Sequence, residues 1–287
     1  MWISGALLVL LVWPLQAGVD WRPAETALDQ GRFEEAAAMA RGVLRHDAVN
    51  STAHVTLARA LMGQNDAAGA LRELSAALQS GPANLDALYY LNKLSTVLAQ
   101  QEFARLYGAA PDSARVHQLL AESLHQQDDS VGEEREYRAA YQRDPKSVPV
   151  LNALGDLLRT QSRSTEAMSF YAQAEKVDPR SFDALYGLGA CEFKAEHYRL
   201  AIEYLTRAVA VDPTSSAAQF AFGETLLRDQ QPERAEKVLR MVAAREPSDK
   251  QTWFLLAKAL RQLGRKQESD EAFARYRKLS QSQMETP

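Results

Sequence analysis

The chain repeats itself at a fixed interval. Residues 177–189 read VDPRSFDALYGLG, and residues 211–223, 34 positions later, read VDPTSSAAQFAFG. One interval back stands RDPKSVPVLNALG from residue 143, and one interval forward REPSDKQTWFLLA from residue 245. Looser copies begin at 109 (AAPDSARVHQLLA), 80 (SGPANLDALYYLN) and 46 (HDAVNSTAHVTLA), so every step is 34 residues except the one from 80 to 109, which is 29. A period of this size belongs to a stacked array of modules, each burying its apolar face against its neighbours, and not to a domain built round one core.

The module at 148–181 shows what is stacked. Leu151, Leu154 and Leu158 recur at helical spacing, as do Ala167, Tyr171 and Ala174, with the polar stretch RTQSRST between them. This predicts two amphipathic helices joined by a turn. Pro179 follows the second helix, where its missing N–H and its constraint on the preceding residue end the helix. The columns repeat along the chain. Gly155, Gly189, Gly223 and Ala257 align, as do Ala167, Ala201, Ala235 and Ser269, and these small residues allow the two helices of a pair to approach closely. Leu154, Leu188, Phe222 and Leu256 fill the space beside them, and Pro145, Pro179, Pro213 and Pro247 close the units.

Large, small and proline columns in this order and period resemble the tetratricopeptide repeat family, over roughly residues 20 to 280. The resemblance implies an all-α, right-handed superhelical solenoid of helix-turn-helix repeats. It also implies a concave groove lined by the first helix of each pair, and a role in holding a protein or peptide partner. Some relatives grip carboxylate termini with a lysine and asparagine clamp. Here the positions of its leading lysine hold Tyr89, Gln118, Asn152, Tyr186 and Phe220, so that activity does not carry over.

The expected organisation has five parts. Residues 1–17 contain an apolar run from Ile3 to Leu15 followed by Ala17 and Gly18. This reads as a signal peptide, with the alternative of an uncleaved membrane anchor over residues 2–19, and it places the protein in the periplasm or outside the cell. Repeats fill 18–84 and 114–280, and a polar tail occupies 281–287. Between Leu85 and Tyr107 five residues are missing where an inter-helix turn belongs, and no Gly or Pro is present. The 85–113 segment is therefore either a shortened repeat or one long connecting helix, and a single rod, which kinks the solenoid, is the preferred reading.

Chemistry is sparse. His117 and His125 frame HQLLAESLH without the one-turn histidine spacing of a zinc pair, and GLGACE from Gly187 lacks the third glycine and the preceding strand of a dinucleotide loop. Cys191 is the lone cysteine, so no intrachain disulfide forms, and it reads as a small buried residue. The expectation is no catalytic, cofactor or metal site. A formal net charge of -4 supplies no basic excess to neutralise phosphates, which argues against nucleic acid as partner.

What remains is the groove. In the family's orientation its exposed side chains in the three C-terminal repeats are Asp183, Tyr186, Phe193 and Lys194, then Phe220, Glu224, Leu227 and Arg228, then Phe254, Lys258 and Arg261. Tyr186, Phe193, Lys194, Phe220, Arg228, Phe254, Lys258 and Arg261 are the expected peptide-binding residues. They suit an extended segment with apolar anchors and acidic groups. Tyr89, Tyr90 and Lys93 extend the aromatic and basic theme to the shortened unit. The function expected is a non-enzymatic scaffold, with an accessory part in glycan assembly or export as the alternative.

Overall fold

The computed structural model describes residues 20–284, and among these it is all helix with no strand. The elements are α1 (Arg22–Asp29), α2 (Phe33–Leu44), α3 (Ser51–Gly63), α4 (Ala67–Ser80), α5 (Leu85–Ala109), α6 (Ala114–His125), α7 (Ser130–Arg143), α8 (Val148–Thr160), α9 (Ser164–Val177), α10 (Phe182–Lys194), α11 (Tyr198–Val211), α12 (Ser216–Arg228), α13 (Pro232–Arg245), α14 (Lys250–Gln262) and α15 (Lys266–Met284). Except for α5, they pack as successive hairpins, α1 with α2, α3 with α4, α6 with α7 and so on to α14 with α15. This is the helix-turn-helix solenoid that the period predicts. The expected signal or anchor segment lies outside the described residues. No described helix is long and apolar enough to cross a membrane.

The turns within hairpins are built the same way in every copy, and those between hairpins in the last three. Within a hairpin, the last residue before the second helix donates its N–H back to a carbonyl five positions earlier, as in Arg163 to Leu158 at 2.8 Å, His197 to Glu192 at 2.9 Å and Gln231 to Leu226 at 2.8 Å. That bond forces the intervening residue into the left-handed region, which ends the first helix. The residues there are Gly31, Asn65, Asp128, Ser162, Glu196, Gln230 and Gly264, with φ between 58° and 74°. Between hairpins, Ser181, Ser215 and Asp249 close the proline turns by donating to Asp178, Asp212 and Glu246, and then cap the next helix with their side chains.

The small-residue columns explain the tightness of each pair. A Cβ on Gly155 would stand 2.5 Å from the Tyr171 ring, one on Gly189 2.7 Å from Leu205, and one on Gly223 2.8 Å from Leu239. In the last pair Ala257 replaces the glycine, and the Ser269 hydroxyl donates to the Ala257 carbonyl at 2.8 Å, so the close approach there holds a hydrogen bond.

The described residues divide into two compact units, one on each side of the step from Gly108 to Ala109. The first has a core of small and branched side chains from α1 to the front half of α5, including Leu57, Leu61, Leu74 and Leu94. The second has cores around Leu151, Leu154 and Tyr171, and around Leu226, Leu239 and Leu256. Helix α5 runs unbroken for 25 residues, through positions 96–99. Its first half packs on the first unit's core through Ala87, Tyr90, Leu91 and Leu94, while Leu85, Tyr89, Val97 and Tyr107 stay exposed. At the other end, α15 continues to Met284, into the segment read from sequence as tail.

Candidate binding groove

The 34-residue register sets the groove. The period puts four positions on the first helix of each hairpin of the second unit in the same register from helix to helix. In the second unit one column holds Gln118, Asn152, Tyr186, Phe220 and Phe254, and the next Glu122, Asp156, Ala190, Glu224 and Lys258. A third holds His125, Arg159, Phe193, Leu227 and Arg261, and a fourth Gln126, Thr160, Lys194, Arg228 and Gln262. Along these columns the acids Glu122 and Asp156 stand on α6 and α8, while the aromatic residues and, apart from Arg159, the basic ones stand on α10, α12 and α14.

At the C-terminal end, Phe254, Lys258 and Arg261 of α14 converge with Phe273 and Asp270 of α15 on a cleft of about 230 Å³. Phe254 and Phe273 are each 41% exposed, and both contact Tyr276 at a tilt, with centroids 5.4 and 5.5 Å away. Lys258 and Arg261 have no hydrogen bond or ion pair to the described residues, so their charges face the cleft uncompensated apart from Asp270.

One repeat back, the Arg228 guanidinium lies 6.0 Å from the Phe193 ring centroid and 4.0 Å from the Glu224 carboxylate. The ring contact joins α10 to α12 and holds the guanidinium along the groove. Lys194 reaches back to the Ser162 hydroxyl at 3.5 Å. Tyr186 and Phe220 are half-buried and pack against the second unit's C-terminal core, with Tyr186 stacked on Phe182 at 6.0 Å. Their rings thus serve the repeat interfaces. Leu227, expected on the exposed face, is instead buried at 2% exposure, where its aliphatic side chain joins the core with Leu226 and Leu239. Tyr89, Tyr90 and Lys93 belong to the first unit, where Tyr90 and Lys93 line a cavity of about 320 Å³ with Arg59 over the Tyr90 ring.

Sequence reading missed the acidic end. Glu122, His125, Glu133, Tyr137 and Asp156 line a cavity of about 610 Å³ between α6, α7 and α8. Glu133 is buried and paired with His125, Nδ1 to Oε2, at 3.1 Å. The available signal was the acidic pair Glu122 and Asp156 in a column that is basic at Lys258. Cys191 is buried in α10, and burial pushes its thiol up, away from a reactive thiolate. Among the described residues no group of three or more His, Cys, Asp or Glu is placed to hold a metal ion.

Three family models described as tetratricopeptide repeat match the chain, over residues 27–94 and 192–259, 152–218, and 250–282. The chain belongs to the tetratricopeptide repeat family. Its fold is also that of solved repeat proteins. A crystal structure of the MamA protein superposes with a TM-score of 0.54 at 18% identity, covering 60% of this chain and 94% of that one. MamA 41-end from Desulfovibrio magneticus RS-1 gives 0.55 at 19% identity, over 59% and 96%. YrrB, described as a tetratricopeptide repeat protein with an unusual peptide-binding site, gives 0.57 at 19% identity, over 63% and 94%. At these identities the likeness establishes the fold. A search of curated proteins finds no match.

Proposed function

We propose that this repeat protein is a non-enzymatic adaptor that captures an extended segment of a partner protein along the C-terminal groove of its second unit. The observation that carries this reading is the convergence of Phe254, Phe273, Lys258 and Arg261 on one cleft, with both rings exposed and both cations unpaired. An apolar side chain fits between the rings, and a neighbouring carboxylate on the same segment meets the two cations. Buried aromatic and arginine contacts of this kind dominate binding energy at interfaces. The neighbouring Arg228–Phe193 pair extends the same character by one repeat. In keeping with the apolar run at residues 3–15, the proposal sets this adaptor in the periplasm or outside the cell.

The test is cross-linked co-purification from the native host, comparing wild type with a Phe254→Ala, Lys258→Ala, Arg261→Ala variant of unchanged helicity. A partner depleted by at least about tenfold in the variant is the expected result, since truncating one or two interface hot spots costs that much. Equal recovery from both proteins would sink the groove assignment. N-terminal sequencing of the protein recovered from envelope and cytosolic fractions checks the compartment. An uncut chain confined to the cytosol would sink export.

A further inference from the structure

The cavity between α6, α7 and α8 is an unfilled copy of a site that the next repeat fills for itself. In that next repeat, Tyr171 is fully buried and its hydroxyl donates to Asp156 Oδ1 at 2.7 Å. The Arg159 guanidinium closes the arrangement, donating from Nε to the Tyr171 hydroxyl at 3.3 Å and from Nη2 to Asp156 Oδ1 at 3.2 Å. A phenol, a carboxylate and a guanidinium satisfy one another there.

One period earlier, the same three positions are Tyr137, Glu122 and His125. The phenol and the carboxylate are kept and the guanidinium is lost. His125 does not substitute for it. Its Nδ1 turns to Glu133 Oε2 at 3.1 Å, and its ring is 73% exposed. Glu122 accepts only from Gln118 Nε2, at 2.8 Å. Tyr137 is 94% buried by its 6% exposure, yet its hydroxyl has no hydrogen bond to any described residue and meets the cavity. The hydroxyl opens into the cavity, where a donor brought in from outside can reach it.

The lining sets the sign of that partner. Glu122, Asp128, Glu133 and Asp156 line the cavity; His125 pairs with Glu133 and Arg159 with Asp156, which leaves Glu122 and Asp128 without a cationic partner among the described residues. Burial pushes the Tyr137 hydroxyl up to about 12, and the Glu122, Glu133 and Asp156 carboxylates push it the same way. It therefore stays a neutral phenol, able to donate to Glu122 while accepting from a cation.

We propose that this cavity binds the guanidinium of an arginine side chain, presented by the segment that the groove captures, with Glu122 and Tyr137 in the roles that Asp156 and Tyr171 play toward Arg159. Arginine is favoured over lysine because the filled copy uses two different nitrogens of one planar fork, which an ammonium cannot reproduce. At about 610 Å³ the cavity also has room for the arginine methylenes, against Leu157 and Ala153. The inference rests on the groove reading above. It adds polarity to it: a bound segment places arginine at the α6–α8 end and its apolar and acidic groups at the α14 end.

The experiment uses the full chain with ring-labelled tyrosine and N-acetyl-L-arginine amide as probe, followed by NMR and assigned with Tyr137→Phe. Saturable movement of the Tyr137 resonance is expected, with affinity about tenfold weaker in Glu122→Gln, as for loss of a charge-assisted hydrogen bond. In His125→Arg the cavity is filled from within: the Tyr137 resonance shifts without probe and no longer responds to it. The citrulline amide, which lacks the charge, should leave the resonance in place. No saturable response in wild type, or one that survives both substitutions, overturns the proposal. An equal response to the lysine amide overturns the guanidinium assignment. Because the probe is a free amino-acid derivative, either failure leaves the Phe254 cleft and its partner test unaffected.

Discussion

Five of the hairpin turns place a residue with a side chain where only glycine is at ease. Asn65, Asp128, Ser162, Glu196 and Gln230 have φ between 58° and 63°, and only Gly31 and Gly264 meet the requirement without strain. Left-handed backbone costs an ordinary L-residue about 1–2 kcal/mol, less for Asn and Asp, while glycine loses about 0.4–1 kcal/mol through its freer unfolded chain. The first effect exceeds the second at Gln230, which is exposed and contributes its left-handed backbone to the turn. Gln230→Gly should stabilise the second unit by about 0.5 kcal/mol in urea unfolding. A β-branched Gln230→Val should destabilise it, and an unchanged midpoint in both would contradict the strain argument. This column was hard to read from sequence, since it holds five residue types with no shared chemistry and its constraint lies in the backbone. The glycine and proline columns were legible because each has one steric cause. Tyr137 was not, because in sequence it is one more large residue in a column with Tyr171, Leu205 and Leu239. Only the geometry separates a phenol that is satisfied from one that is waiting.

The loss of that same turn accounts for α5. One period after Asn65 falls Ala99, and one period before Asp128 falls Leu94, so the five missing residues remove the site of the left-handed residue itself. With no residue to break the ladder, the hydrogen bonds run through and two helices become one. The gap was visible in the repeat spacing, and the lack of Gly or Pro there favoured the rod over a forced turn. Where α5 ends, the 110–113 turn is held by charge. The His117 imidazole bonds to Asp112 at 3.0 Å and Glu136 at 2.8 Å, and Arg143 also pairs with Asp112. Asp112, then Glu136, hold His117 above its ordinary value, while His117 holds both carboxylates below theirs, helped by Arg143 and Arg135. The raised imidazole contributes stability that is complete below about pH 6.5 and is lost as pH rises through its folded value. The lowered carboxylates contribute stability present above about pH 4 and lost as pH falls through theirs. Wild type should therefore lose stability relative to His117→Gln between pH 6 and pH 8, in paired urea titrations. A gap between the two proteins that does not change with pH would remove the charge from the account.

At the scale of the whole chain, stability is local. Two repeat junctions of the second unit carry the same four charges: Glu134, Arg138, Arg163 and Glu166, and three periods later Glu236, Arg240, Arg265 and Glu268. Arg163 bridges Glu134 at 2.8 Å and Glu166 at 2.7 Å, and Arg265 bridges Glu236 at 3.1 Å and Glu268 at 2.6 Å. These partners are partly exposed and screened by water, so the pairs fix register between second helices more than they hold the array together. The apolar cores carry the larger energies, and each compact unit has its own. In an array, a side chain's loss is felt by its own repeat and the adjoining interfaces. Leu74 of the first unit and Leu151 of the second are both fully buried, so each change to Ala should cost about 2–5 kcal/mol. Leu74→Ala should raise amide exchange in α2 to α4 and leave α8 to α10 at wild-type protection, and Leu151→Ala should do the reverse. The costs should add in the double variant to within about 0.5 kcal/mol, as for sites that share no neighbours. Loss of protection in both units from either single change would mean that the units fold as one cooperative body.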